Sequence, residues 1–219
     1  MTTEKTLSKT IEALTALTAG DVFRARDILE TIADQLRDDI RTKEAKKNGK
    51  TNALSAAKRI LKTAQKTPRP ALHKAFYNNG LQCVCDGMRG VQLKNALPLE
   101  ELPADVETIN FARFLDDAKQ NNEIVLELPE LSALKAYIKI EKFKNKIAKT
   151  KDIIYYDFGP ALPFVNAEFL ADQLEILPGC KAYAKTNGFN IYFESDDGRG
   201  MLCNIRPGDN VERKKTELK

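Results

Sequence analysis

The chain of 219 residues has one histidine and no tryptophan. A single imidazole leaves little material for histidine-based catalysis. There is also no glycine-rich phosphate loop, no nucleophile elbow, no H-E-x-x-H and no carboxylate pair with a partner. The sequence therefore reads as non-enzymatic and implies no cofactor. It has no apolar run near twenty residues and no apolar amino-terminal segment behind positive charge. It should be neither membrane-spanning nor secreted, and a cytoplasmic protein is expected. Cysteines number only four, and without a secretion signal they fit free thiols in a reducing compartment. Neither sign of charge dominates: 35 Lys and Arg against 31 Asp and Glu give a net of +4, so bulk charge decides nothing about partners.

The richest stretch runs from Phe158 to Pro207. Asn166 stands where a helix N-cap belongs, before the apolar-periodic run Phe169, Leu170, Leu174 and Leu177, and Glu168 suits the positive end of that helix. Pro178-Gly179 stops it. Strands are predicted over Cys180–Lys185, Phe189–Ser195 and Met201–Arg206, separated by the turns Asn187-Gly188 and Asp196-Asp197-Gly198. A strand over Asp152–Phe158 leads in, which makes one β-α-β-β-β unit. The same order occurs about 100 residues earlier. Ala53, Leu54, Ala57, Ile60, Leu61 and Ala64 define a helix ended by Pro68 and Pro70. Strands over Ala71–Tyr77, Leu81–Cys85 and Gly90–Lys94 follow, with turns at Asn78-Asn79-Gly80 and Asp86-Gly87.

Around these units lie other elements. Leu7, Ile11, Leu14 and Leu17 share one helical face. After Ala19-Gly20-Asp21, the residues Ala25, Ile28, Ile32, Leu36 and Ile40 share another, so residues 1–50 read as a helical hairpin ending in a basic linker, Lys43–Lys50. Each stripe needs a partner, and a structural or oligomerising hairpin is expected. A short helix over Asn110–Gln120 should turn Phe111, Phe114 and Leu115 inward. A strand over Glu123–Leu128 precedes a long helix opened by Pro129 and running to about residue 151. The polar residues 208–219 should be disordered.

Two tandem β-α-β-β-β units resemble one domain of a sliding clamp, the DNA polymerase III β subunit family. Ala56-Ala57-Lys58 through Pro68-Arg69-Pro70-Ala71-Leu72 resembles the clamp's first helix and following strand. Cys85-Asp86-Gly87-Met88-Arg89 resembles its D-G-x-R turn. Phe164-Val165-Asn166-Ala167-Glu168-Phe169-Leu170 resembles its x-N-A-x-Y-L helix start, and Asp197–Leu202 with Asn204-Ile205-Arg206 resembles the closing strand. The chain is also similar to uncharacterised clamp-like proteins of bacterial mobile elements and phages. The resemblance covers about residues 51–207. It implies an α+β, DNA-clamp-like domain, a role in DNA replication or a mobile element, and DNA or replication proteins as partners. A bacterial clamp joins three such domains per chain and closes a ring from two chains. With one domain per chain, a ring here would need a homo-oligomer of six.

The resemblance places its two helices against DNA, and the charge pattern divides them. From Arg41 to Arg69 ten Lys or Arg face one acid, and Lys58, Arg59, Lys62 and Lys66 share a helix face, with Arg69 beyond. The second helix carries Glu168, Asp172 and Glu175 and no cation, the wrong sign for phosphate. The long helix between the units carries Lys135, Lys139, Lys142, Lys146 and Lys149 at spacings 4, 3, 4, 3, within about 80° of arc. These ten cations are the candidate DNA-binding residues. Solvated helix faces explain the same patterns, and a protein-interaction module that mimics or caps a clamp is the alternative. Cys83 and Cys85, two apart on a strand, read as small buried hydrophobes rather than zinc ligands. Asp86-Gly87 and Asp196-Asp197-Gly198 read as turns.

Overall fold

The computed structural model describes residues 3–103, 105–206 and 213–218. The chain forms two compact units, Met1–Thr51 and Asn52–Lys219.

The first unit is an antiparallel pair of helices, α1 (Thr3–Thr18) and α2 (Val22–Lys47). Asp21 caps α2 by accepting from the Arg24 amide at 3.0 Å. The helix does not give way to a linker at Lys43. It continues to Lys47 and stops at Asn48-Gly49, where Gly49 takes φ 68°. The expected α1 stripe is not what closes the pair, and the α2 stripe does so only in part. The buried seam is small, Ala13 and Ala16 on α1 with Ala25 and Ile32 on α2, while Leu7, Ile11, Leu14, Leu29, Leu36 and Ile40 remain exposed.

The second unit is α+β. Helix α3 (Thr51–Ala64) is followed by a 3₁₀ turn at Pro70–Leu72 and strands β1 (Phe76–Asn78), β2 (Leu81–Cys85) and β3 (Arg89–Leu93). The strand expected over Ala71–Tyr77 is thus half turn: Pro70 has no amide for a ladder and opens a 3₁₀ turn instead. Asn79 and Gly80 both take positive φ, the turn that a two-residue hairpin requires. Helix α4 (Phe111–Asn121), strand β4 (Ile124–Leu126) and helix α5 (Leu131–Ala148) come next. Strands β5 (Tyr155–Asp157) and β6 (Phe164–Asn166) then pair with each other. Helix α6 (Ala167–Ile176) and strands β7 (Lys181–Ala184), β8 (Asn190–Glu194) and β9 (Gly198–Cys203) complete the unit. Strand β6 is not among the strands expected from the sequence.

Seven strands make one antiparallel sheet in the order β1-β2-β3-β9-β8-β7-β4. Its centre is the β3–β9 pair, with Val91 opposite Gly200 and Gly90 opposite Met201. Moving outward from that pair, β2 and β1 follow on one side and β8 and β7 on the other. Each half is a helix followed by three strands. The two central glycines admit a helix to each face. A Cβ on Gly200 would come within 2.5 Å of the Gln173 side chain of α6, and one on Gly90 within 2.6 Å of Phe111 of α4. Gln173 is fully buried and its Nε2 donates to the carbonyls of Gly90 and Met201, which pins α6 across the central pair. On the α4 face, Phe111 and Leu115 pack with Phe76, Cys83, Cys85 and Tyr192. Phe114 does not turn inward as expected and is exposed. A helix presents only one stripe to a sheet, and Phe114, about 60° round α4 from Phe111 and 100° from Leu115, falls at the edge of that stripe.

The expected disordered tail falls partly outside the described residues, at 208–212 and 219. Residues 213–218 depart from it. The Arg213 guanidinium donates to both carboxylate oxygens of Asp157 and to the carbonyls of Gly159 and Leu162, and the amide of Thr216 donates to the Asp157 carbonyl at 2.8 Å. A polar composition suggested no core to join, but a bidentate arginine–carboxylate pair anchors a short segment without one.

Candidate nucleic-acid interface

Three helices of the second unit build a trough of about 480 Å³. Its floor is α6. Asn166 caps that helix, accepting from the amides of Glu168 at 2.9 Å and Phe169 at 3.3 Å, so Glu168, Asp172 and Glu175 occupy one stripe from the first turn onward. Leu170 and Leu174, on the other side of α6, are buried. One wall is α3, contributing Arg59 and Lys62, with Lys66 just beyond its end. The other is α5, contributing Lys135, Ile138 and Lys142. Tyr137 of α5 donates its hydroxyl to the Tyr155 carbonyl at 3.0 Å and fixes the helix to β5.

Charge pairing decides what the trough can bind. Lys135 pairs with Glu175 and Lys142 with Glu168, so α5 runs antiparallel to α6 with its lysines in register with the acids. Arg59 reaches from α3 to Asp172 and Glu175. Burial works against the Arg59 charge, yet its bonds to these two carboxylates outweigh that and raise its pKa. Arg89, at the start of β3, is buried beneath the trough. Its guanidinium bonds Asp172 and, at 3.1 Å, Asp86, and it lies 3.8 Å from the centre of the Phe169 ring. Asp86 in turn accepts from the amides of Met88 and Arg89, both at 2.9 Å. The Asp86–Arg89 turn therefore holds a guanidinium under α6. Burial pushes the Asp172 carboxyl above its ordinary value, with Arg89 and Arg59 opposing it.

Every acid on α6 that would repel phosphate thus has a cation on it. The sequence-predicted cations divide accordingly. Arg59, Lys135 and Lys142 line the trough and are engaged with α6. Lys62 and Lys66 line it and, among the described residues, form no ion pair. Lys139, Lys146 and Lys149 are exposed along α5, also without an ion pair among the described residues, and Lys149 is the left-handed residue that ends the helix. Lys58 is half-buried and does not line the trough. Arg69 is exposed beside the Asp86-Gly87 turn, 3.2 Å from where a Cβ on Gly87 would lie. Sequence reasoning missed Arg89, Phe169 and the role of the three acids. A signal was present: Glu168 and Glu175 are seven residues apart, as are Lys135 and Lys142, so two turns of an antiparallel helix pair bring both ends into charge register.

The remaining chemistry-bearing groups are structural. Cys83 and Cys85 are buried on the α4 side of the sheet, and burial pushes both thiols up to about 12. His73 sits 3.0 Å from the Thr67 carbonyl. Among the described residues no cluster of His, Cys, Asp and Glu is placed to hold a metal, and no helix is long and apolar enough to cross a membrane. Comparison with protein-family models, with curated proteins and with solved structures finds no match to this chain.

Proposed function

We propose that this chain is a non-enzymatic, clamp-like protein serving DNA replication or a mobile element, and that it contacts DNA non-specifically through α3 and α5. One observation carries the reading. The acids of α6 are neutralised within the fold by Arg59, Arg89, Lys135 and Lys142, so the lysines around them are a surplus. Lysine ammonium groups read no base edges by themselves, and a surplus of them fits phosphate without sequence preference. The mirrored strand order about β3–β9, with α3 and α6 joined by Arg59, supports the clamp-like part of the reading. In a clamp the corresponding pair of helices faces DNA; here α5 lies beside them and adds its own lysines.

The test is duplex binding across a salt series. Each phosphate neutralised contributes about 0.9 to the slope of log affinity against log salt. Lys62, Lys66, Lys139, Lys146 and Lys149 are replaced together by glutamine, which spares the ion pairs on α6. The slope should fall by up to roughly four units with the fold unchanged. Absence of binding at low salt, or an unmoved slope, would remove DNA from the reading. A protein-interaction module that mimics or caps a clamp would then take its place. The exposed Ile140, Phe143 and Ile147 on α5 favour that second reading, since a phosphate backbone has no use for them.

A further inference from the structure

We infer that the amino-terminal hairpin is a self-association module, whose exposed apolar face docks against the same face of a second copy to form a four-helix bundle. The inference starts from where the stripes point. On α1, Leu7, Ile11 and Leu14 lie roughly 100–160° round the helix from the buried Ala13, counted in the direction of the chain. On α2, Leu29, Leu36 and Ile40 lie roughly 20–60° round from the buried Ala25 and roughly 40–80° from the buried Ile32, in the same sense. The helices are antiparallel, as the pairs Glu12–Arg24 and Lys9–Gln35 require. In an antiparallel pair, rotations of the same sense bring both stripes to the same side. The six residues therefore form one continuous apolar face. The opposite side is polar and holds the Glu12–Arg24 ion pair at 2.9 Å.

A two-helix layer with one apolar side is half of a helix-on-helix core. The size of the face fits a partner of equal size. Six aliphatic side chains, each 44–64% exposed, leave on the order of 500 Å² of apolar surface. A standard interface takes about 800 Å² from each partner, a little over half of it apolar. The outer edge of the face suits a second copy. Along its outer edge on α2 the face carries Arg26, Glu30, Arg37 and Glu44, with Arg26 and Glu30 pairing at 2.8 Å, while Lys43 and Lys47 continue the rows of Leu36 and Ile40 and make the carboxy-terminal end of the face basic. A two-fold interface sets a surface against itself, and the mixed signs along this outer edge let it do so there without like-charge contact. On the α1 half of the face, Glu4 stands one turn before Leu7 and about 20° round from Ile11.

The experiment is sedimentation of the full chain over a concentration series, beside two double variants. The wild type should be dimeric or in reversible exchange with a dimer. Ile11→Glu with Leu36→Glu should be monomeric with unchanged helicity by circular dichroism, because both positions are exposed. Should that variant lose helicity, Ile11→Ala with Leu36→Ala decides. Alanine favours helix and only shortens the side chains, and it should weaken the dimer at least tenfold. A wild type that stays monomeric at every reachable concentration overturns the inference. So does a dimer that persists at unchanged strength in both variants, since it would be built elsewhere. Pelleting of the wild-type chain with vesicles of anionic lipid, without self-association, would show that the face meets a membrane instead.

Discussion

The two units bury different things. In the hairpin most large aliphatics face out and three alanines with Ile32 close the seam, whereas in the sheet unit Leu134, Leu170, Phe111, Phe193 and Tyr192 are sealed inside. Charge follows the reverse order. The hairpin's ion pairs are exposed, and surface pairs contribute little, typically under 1 kcal/mol. The sheet unit holds Arg89, Asp86 and Asp172 almost wholly out of water. The difference teaches that an amphipathic stripe marks a surface that wants a partner without saying that the chain itself provides one. A buried charge network, by contrast, commits its neighbours to one arrangement.

The comparison can be broken most forcefully at Arg89. Replacing it by alanine leaves two buried carboxylates, Asp86 and Asp172, without their shared cation. Losing one partner of a buried pair costs roughly 3–5 kcal/mol. Chemical denaturation of Arg89→Ala should show a loss of that size in the sheet unit. Removing a hairpin cation in the same way, as in Arg24→Ala, should cost under about 1 kcal/mol. Equal losses would erase the contrast between the two units.

Core truncation comes next. Leu174 is buried against the sheet and Leu14 is 57% exposed, although both sit on clean apolar stripes in the sequence. Leu174→Ala should cost about 2–5 kcal/mol, and Leu14→Ala at most about 0.5 kcal/mol in dilute monomer. A thermal melt of each variant reads the difference. A large loss for Leu14→Ala at low protein concentration would show that its face is covered within one chain.

Much of this was legible. The caps at Asn166, Asp21 and Asn110, the hairpin turn at Asn79-Gly80 and the strands around them follow from local chemistry, and local chemistry is written in adjacent residues. What was not legible depends on non-local partners. The acids of α6 look hostile to phosphate until Lys135 and Lys142, more than twenty residues earlier in the chain, are laid along them. Strand β6 is three residues long and exists because β5 pairs with it. The exposure of Leu7, Ile11 and Leu14 is likewise invisible to periodicity, which records that a face is apolar and not what covers it. The anchored segment at Arg213 was missed for the same reason: its partner Asp157 lies 56 residues away.

The smallest effect concerns pH, and again separates the units. Cys83 and Cys85 are held near 12 by burial, first and foremost, against an ordinary value of 9.0. The folded state therefore binds these two protons more tightly than the unfolded chain does. Their contribution to stability is fully present below about pH 9 and is lost as pH rises from there towards 12. Each thiol contributes at most about 1.4 kcal/mol per pH unit in that window, and less where the two thiols and their surroundings relax together. Residues 1–50 contain no cysteine and no tyrosine, so the hairpin has nothing comparable to titrate between pH 9 and 10. Denaturation of the sheet unit at pH 8, 9 and 10 should show stability falling with pH. In Cys83→Ala with Cys85→Ala the fall should be shallower by up to about 2–3 kcal/mol between pH 8 and 10, whatever the variant loses in packing at every pH. The subtraction matters because Tyr156 and Tyr192 are also pushed up by burial and stay in both proteins. Identical slopes in wild type and variant would mean that the thiols meet water in the folded state, and that the α4 face of the sheet is as open as the hairpin.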